Sequence, residues 1–128
     1  MQPRPYDIRE RSYVFTREVI VLCRKAAADR DFVMRRLISQ LVDSAGSVGA
    51  NLEEADDGQT KPDFISKTSI ALKEVREARF WLRQLKDIEP RLAQAAKPLI
   101  DEAEQLKKIL RTIVIRAKKK RDRGRNVV

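Results

Sequence analysis

Apolar residues recur along this chain at helical spacing in four separate segments. The most regular one carries eight apolar residues between Leu92 and Ala117, at alternating intervals of four and three. This is the heptad pattern of a helix that packs along one stripe. The three earlier segments show the same kind of stripe, at intervals of three, four and seven residues. The pattern predicts helices over residues 7–28, 32–55, 61–87 and 90–119.

The residues at the breaks support these boundaries. Asp31 suits the N-cap of the second helix. Thr60 with Asp63 resembles a capping box that opens the third helix. The third helix is expected to end before Pro90, because the residue before a proline avoids the α region. Pro98 lies inside the fourth segment, where it either kinks the helix or marks its true start.

The short connections between these segments determine the predicted topology. Neighbouring helices joined by a few residues pack antiparallel. We therefore predict an all-α fold, an antiparallel up-down-up-down four-helix bundle. It forms a single domain over residues 1–120, and a basic segment, 121–128, follows it as a disordered tail.

The middle of the second helix is nearly free of bulky side chains. Gly46 and Gly49 lie in this stretch, and a glycine inside a helix costs about 1 kcal/mol relative to alanine. Their presence predicts a tight helix crossing, either within the subunit or between subunits. The alternative is a break at the glycines that splits the helix.

Composition argues against an enzyme and against a membrane protein. The chain has no histidine and a single cysteine, Cys23, which lies in an apolar run and is expected to be a buried side chain. Without histidine, a cysteine nucleophile lacks its usual base, and a di-iron bundle site lacks its nitrogen ligands. We expect no catalytic residues, no metal and no cofactor. Neither a signal sequence nor an apolar run of membrane-spanning length is present, so a cytoplasmic location is expected.

The charge is strongly basic and unevenly distributed. The net charge is +9, with +6 over residues 116–128, +4 over residues 1–36 and −1 over the remainder. Two groups of cations are candidates for binding nucleic-acid phosphates. The first lies along one edge of the third helix, and the second lies near the C-terminus. They comprise Arg76, Arg79, Arg83 and Lys86, and Arg116, Lys118, Lys119, Lys120 and Arg121.

Each basic group also has a simpler interpretation. The stripe on the third helix is alternatively a solvated face whose long side chains cover apolar surface. The C-terminal group is alternatively a solubilising end. An acidic segment around Glu53, Glu54 and Asp56 is expected at the same end of the bundle, where it would pair with basic residues of the same or a neighbouring subunit. Trp81, opposite the arginines on the third helix, is a candidate for a subunit interface together with Gly46 and Gly49.

At the second and third helices the sequence resembles the bacterial family of S23, or 23S rRNA intervening-sequence, proteins. The matching residues of the second helix are Gln40, Leu41, Ser47, Val48, Asn51, Leu52 and Glu54. Those of the third helix are Asp63, Phe64, Ile65, Ile70, Ala71, Leu72, Lys73, Glu74 and Glu77. The segment from Arg79 to Arg83 also looks like the related accessory proteins of diversity-generating retroelements.

This resemblance implies a four-helix bundle that assembles as a homopentamer. The retroelement relatives bind nucleic acid through basic surfaces and partner with a reverse transcriptase. Two departures stand out: Val42-Asp43 replace the basic residues that often follow Gln-Leu in the family, and Ala55 replaces a glycine. The first weakens any RNA contact carried over to the second helix.

The sequence thus leads to two hypotheses. The first is a non-enzymatic, oligomeric, basic helical protein that binds RNA or DNA largely through phosphates. The second is a scaffold or adaptor whose partner is another protein and whose charges serve assembly.

Overall fold

The computed structural model of the chain describes residues 8–26, 31–56 and 60–126, and these residues form four α-helices. The helices are α1 (Ile8–Ala26), α2 (Phe32–Ala55), α3 (Lys61–Ile88) and α4 (Ala93–Asn126), with a short 3₁₀ helix at Pro90–Leu92. Each helix packs against its neighbours in sequence, and α1 also packs against α4. The predicted all-α four-helix bundle is therefore confirmed.

The predicted caps explain where α2 and α3 begin. The Asp31 carboxylate accepts a hydrogen bond from the backbone N–H of Met34 at 2.7 Å. At the start of α3 the Thr60 hydroxyl accepts from the backbone N–H of Asp63 and donates to its carboxylate. These side chains satisfy N–H groups that have no partner within the helix. Both predicted N-termini are confirmed.

The fourth helix differs from the prediction at both ends. The chain after Glu89 first forms the 3₁₀ turn, and α4 begins at Ala93, so Pro98 lies inside the helix and does not mark its start. The predicted end near residue 119 is too early, because α4 continues to Asn126. Lysine and arginine favour helix, and no proline interrupts residues 117–126. The segment predicted to be a disordered tail is thus helical as far as the structure describes it.

One hydrophobic core runs through the bundle, with side chains from all four helices. Phe15, Leu41, Leu82 and Leu106 represent α1 to α4, and each has at most 1% of its surface exposed. Cys23 is buried in the same core, as the sequence predicted. Among the described helices, none is both long and apolar enough to cross a membrane.

The two glycines of α2 lie within an unbroken helix, so the alternative of a break is wrong. Gly49 faces α1, where a Cβ atom built on it would lie 3.9 Å from the Ser12 backbone and the Thr16 hydroxyl. The Thr16 hydroxyl also donates to the backbone carbonyl of Ala45 at 2.8 Å. The crossing of α1 and α2 is therefore close at Gly49. At Gly46 the added Cβ would meet nothing within 4 Å among the described residues.

Candidate nucleic-acid interface

The arginine stripe of α3 lies against α4. Arg79, in the middle of the stripe, places its Nε 3.1 Å from Oε2 of Glu104 on α4. The other oxygen of Glu104 lies 2.9 Å from Nζ of Lys107. The hydrogen bond from Lys107 and the charge of Arg79 lower the pKa of Glu104. These contacts show where the α3 stripe lies relative to the charged residues of α4.

Cations on both helices therefore share one surface. Because α3 and α4 are antiparallel, the turn of α3 that holds Arg76 lies beside the turn of α4 that follows Glu104. Lys108 and Arg111 stand four and seven residues after Glu104, so they follow it along the same side of α4. Both are exposed, as is Arg76. We call this surface, with Arg83 at its other end, the α3–α4 basic face.

The four predicted stripe residues are not equivalent. Arg79 is held by Glu104, and Lys86 lies 4.0 Å from the carboxylate of Asp87. Arg76 and Arg83 are exposed, and neither forms an ion pair with any residue in the described ranges. Within the stripe, the guanidinium groups of Arg76 and Arg83 are thus open to solvent, one on each side of the paired Arg79. The open pair is the part best suited to bind phosphate.

The second predicted group of cations lies on the last part of α4. Arg116, Lys118, Lys119 and Lys120 are exposed, and Arg121 pairs with the neighbouring Asp122 at 3.1 Å. Ile113 lies level with the first turn of α1 and the last turn of α2, because it lines one small cavity together with Ile8, Ala55 and Phe64. The thirteen helical residues after Ile113 extend about 20 Å further. The basic end of α4, residues 116–126, therefore projects past the ends of α1 and α2.

Two of the acidic residues near the end of α2 form ion pairs within the bundle. Asp56 forms an ion pair with Arg9 of α1, and Glu54 forms one with Lys67 of α3, each at 2.8 Å. The hydrogen bond that the Lys67 ammonium donates to the Glu54 carboxylate raises the pKa of Lys67. The cations of α4 are thus not neutralised by these two carboxylates.

The three predicted interface residues lie on two different surfaces. Gly46 and Gly49 line a groove of about 350 Å³ between α1 and α2, whose walls include the exposed side chains of Tyr13 and Ile20. Trp81 lies on α3, fourteen residues or about four helical turns after Lys67, which contacts α2. Trp81 therefore belongs to the side of α3 that faces α2. The structure does not bring it together with the glycines.

Sequence reasoning missed both the contribution of α4 to the basic face and the exposed ring of Phe80. Phe80 is 49% exposed and lies between Arg76 and Arg83 on the surface of α3. The spacing of Lys108 and Arg111 is a signal in the sequence for a charged face of α4. Only the pairing of Arg79 with Glu104 shows that this face adjoins the arginines.

The comparison with family models decides the classification. The model of the 23S rRNA-intervening sequence protein family matches residues 4–112. The chain belongs to this family. The match covers the bundle and most of the α3–α4 basic face, but it ends before the basic end of α4. The predicted membership of the S23, or 23S rRNA intervening-sequence, family is thereby confirmed.

A solved structure supports the same classification. It is a protein of unknown function from the S23 ribosomal protein family of Bacteroides thetaiotaomicron. The two chains are 29% identical and superpose with a TM-score of 0.75, which covers 84% of this chain and 97% of that one. No curated protein matches this chain. The comparisons therefore establish the family and the fold.

Proposed function

We propose that this chain is a cytoplasmic, non-enzymatic homo-oligomer that binds RNA or DNA mainly through phosphate contacts. The observation that carries the proposal is the pair of exposed guanidinium groups of Arg76 and Arg83, which have no ion-pair partner among the described residues and lie beside the exposed cations of α4. The net charge of +9 and the projecting basic end of α4 support it. The family name, which refers to 23S rRNA, is consistent with an RNA ligand.

Phosphate binding of this kind has a distinct physical signature. Each cation that contacts a phosphate displaces condensed counterions from the nucleic acid, so affinity falls steeply as salt rises. Contacts of this kind orient the ligand, whereas they do not distinguish one sequence from another. We therefore expect general affinity for nucleic acid.

The test is binding of a fluorescently labelled 20-nucleotide RNA across a salt series, by anisotropy. The Arg76→Gln/Arg83→Gln double variant should bind more weakly, and the slope of log K against log salt should fall by about two. The matched control is Arg17→Gln/Arg24→Gln, which removes the same charge from exposed positions of α1. A control that behaves like the double variant would show that net charge, and not the basic face, determines binding.

Two results would contradict the proposal outright. One is the absence of binding at low salt. The other is an affinity that stays constant from low to physiological salt, because phosphate contacts cannot give that result.

The α1–α2 groove favours a second candidate function, a scaffold assembled from copies of this chain. The groove is open to solvent, and Tyr13 and Ile20 on its rim are 58% and 42% exposed. The family resemblance favours a homopentamer. Light scattering with and without RNA measures the mass of the particle. The Gly46→Leu variant, which fills the groove, should dissociate the assembly if a second copy occupies it.

The two candidates are separated by one comparison. Loss of RNA binding by Arg76→Gln/Arg83→Gln at unchanged particle mass supports the nucleic-acid function. Dissociation of the particle by the same substitutions indicates that the charges serve assembly.

A further inference from the structure

Phe80 is an exposed aromatic ring in the middle of the α3–α4 basic face. Arg76 precedes it by four residues and Arg83 follows it by three. Residues at these spacings are neighbours on a helix surface, with Cβ atoms about 5–6 Å apart. The ring is 49% exposed, although burial of a phenyl ring is favourable. Two solvent-exposed cations thus flank one solvent-exposed ring.

The Phe80 ring also contacts the neighbouring Trp81. Its centroid lies 5.0 Å from that of Trp81, and the two ring planes meet at 80°, an edge-to-face contact. Trp81 is partly buried and packs against the hydrophobic core. The contact therefore anchors Phe80 to the bundle while half of its surface remains in solvent.

We propose that Phe80 is a stacking platform for an unpaired base, with Arg76 and Arg83 binding the phosphates on either side of it. The ligand of the basic face is then a single strand, since a base inside a duplex has no free face to offer. Aromatic rings alternating with cations are the features that bind single-stranded nucleic acid without sequence preference. This inference rests on the proposed function and narrows its ligand from nucleic acid in general to an unpaired strand.

Three probes test the proposal, and the two single strands among them differ only in their bases. A labelled twelve-nucleotide thymidylate strand is compared with a strand of equal length and charge that carries abasic sites, and with a duplex of twelve base pairs. The wild-type protein should bind the thymidylate strand about tenfold more tightly than the abasic strand. It should also bind the thymidylate strand more tightly than the duplex.

Variants at position 80 separate stacking from packing. Phe80→Leu keeps an apolar side chain against Trp81 but removes the aromatic face, so it should bind the thymidylate and abasic strands equally. Phe80→Tyr should retain the preference. The salt dependence of both variants should match the wild type, because no cation is removed. Phe32→Ala removes another exposed phenyl ring, on α2, and should change nothing.

The fluorescence of Trp81 gives an independent readout. It is the only tryptophan of the chain, and it touches the ring that is proposed to stack. The thymidylate strand should alter its emission in the wild type, whereas the abasic strand at saturation should alter it much less.

Three results would overturn the stacking proposal while leaving phosphate binding intact. They are equal wild-type affinity for thymidylate and abasic strands, wild-type behaviour of Phe80→Leu, and tighter binding of the duplex. Failure of every probe to bind, or an affinity that does not change with salt concentration, would instead overturn the proposed function together with this inference.

Discussion

Arg11 of α1 and Glu102 of α4 form a two-point ion pair that joins the first and last helices of the bundle. The Nε of Arg11 lies 3.1 Å from Oε2 of Glu102, and its Nη2 lies 2.5 Å from Oε1. The same Nη2 donates to the side-chain oxygen of Gln105 at 3.2 Å. The Arg11 side chain is only 13% exposed, so this pair is more shielded from water than the other ion pairs of α1.

Glu102→Ala should therefore destabilise the fold by about 2 kcal/mol, because it leaves a largely buried guanidinium without its charged acceptor. The measurement is urea unfolding. All variants are compared at the same protein concentration, because the stability of an oligomer depends on concentration. The matched control is Asp101→Ala, an exposed neighbour on α4. The control should change the free energy of unfolding by less than about 0.5 kcal/mol. Equal effects of the two substitutions would show that the pair contributes nothing specific.

The starts of α2 and α3 could be predicted from the sequence because they depend on local hydrogen bonds. Asp31 and Thr60 cap their helices through hydrogen bonds to residues three positions away, and such bonds follow from spacing alone. The end of α4 was harder to predict, because lysine and arginine are compatible with both a helix and a solvated tail.

The residues that form the basic face could not all be predicted from the sequence, because they are brought together by contacts between helices. Periodicity placed Arg79 on the same stripe as Arg76 and Arg83, but it gave no register between α3 and α4. That register brings Glu104 to Arg79 and leaves the other two arginines open. Likewise, the small residues around Gly49 predicted a close crossing, but only the fold identifies α1 as the partner. Helix faces can be predicted from sequence, whereas the pairing of those faces cannot.

Cys23 should be unreactive in the folded protein. It is 4% exposed, and burial raises the pKa of its thiol to about 11. At pH 8 the thiolate population is then about a hundredfold smaller than at the ordinary pKa near 9, and access is blocked as well. A thiol reagent such as Ellman's reagent should modify the native protein at least about a hundredfold more slowly than the urea-unfolded chain. Comparable rates would show that the core opens readily around Cys23.

The same shift predicts how stability changes in alkali. The folded-state pKa lies above the unfolded value, so the neutral thiol is favoured by folding. Its contribution is complete below pH 9 and is lost as the pH rises through about 11. Cys23→Ala, which has no thiol to ionise, should show a smaller loss of stability over that interval.

The glycines of α2 should be replaceable by alanine in the isolated chain. A Cβ at Gly46 meets nothing within 4 Å among the described residues, and at Gly49 it makes ordinary contacts at 3.9 Å. Each substitution should raise the free energy of unfolding by about 0.8 kcal/mol, because alanine has the higher helix propensity. Urea unfolding measures both. A destabilising Gly46→Ala beside a stabilising Gly49→Ala would indicate that another molecule occupies the α1–α2 groove.

Glu74 should oppose folding at neutral pH. Its pKa is raised by burial first, and then by the charge of Glu77 and by a hydrogen bond with it. Compared with the unfolded chain, the folded protein thus favours the protonated acid. This contribution to stability is complete below the unfolded pKa near 4.5 and is lost as the pH rises through the higher folded-state pKa. Glu74→Gln removes a charge but keeps the shape, so it should stabilise the protein at pH 7 by about 0.5 kcal/mol.

The stability gained by Glu74→Gln should disappear at acidic pH. This distinguishes an effect of the Glu74 charge from an effect of side-chain packing. Below about pH 4 wild-type Glu74 is itself protonated, so the wild type and Glu74→Gln should unfold at the same urea concentration. Glu18→Gln, at a half-exposed carboxylate 3.8 Å from Nε of Arg17, is the control and should show little difference at either pH. A Glu74→Gln advantage of equal size at pH 7 and pH 4 would contradict the electrostatic explanation, because a change in packing does not depend on pH.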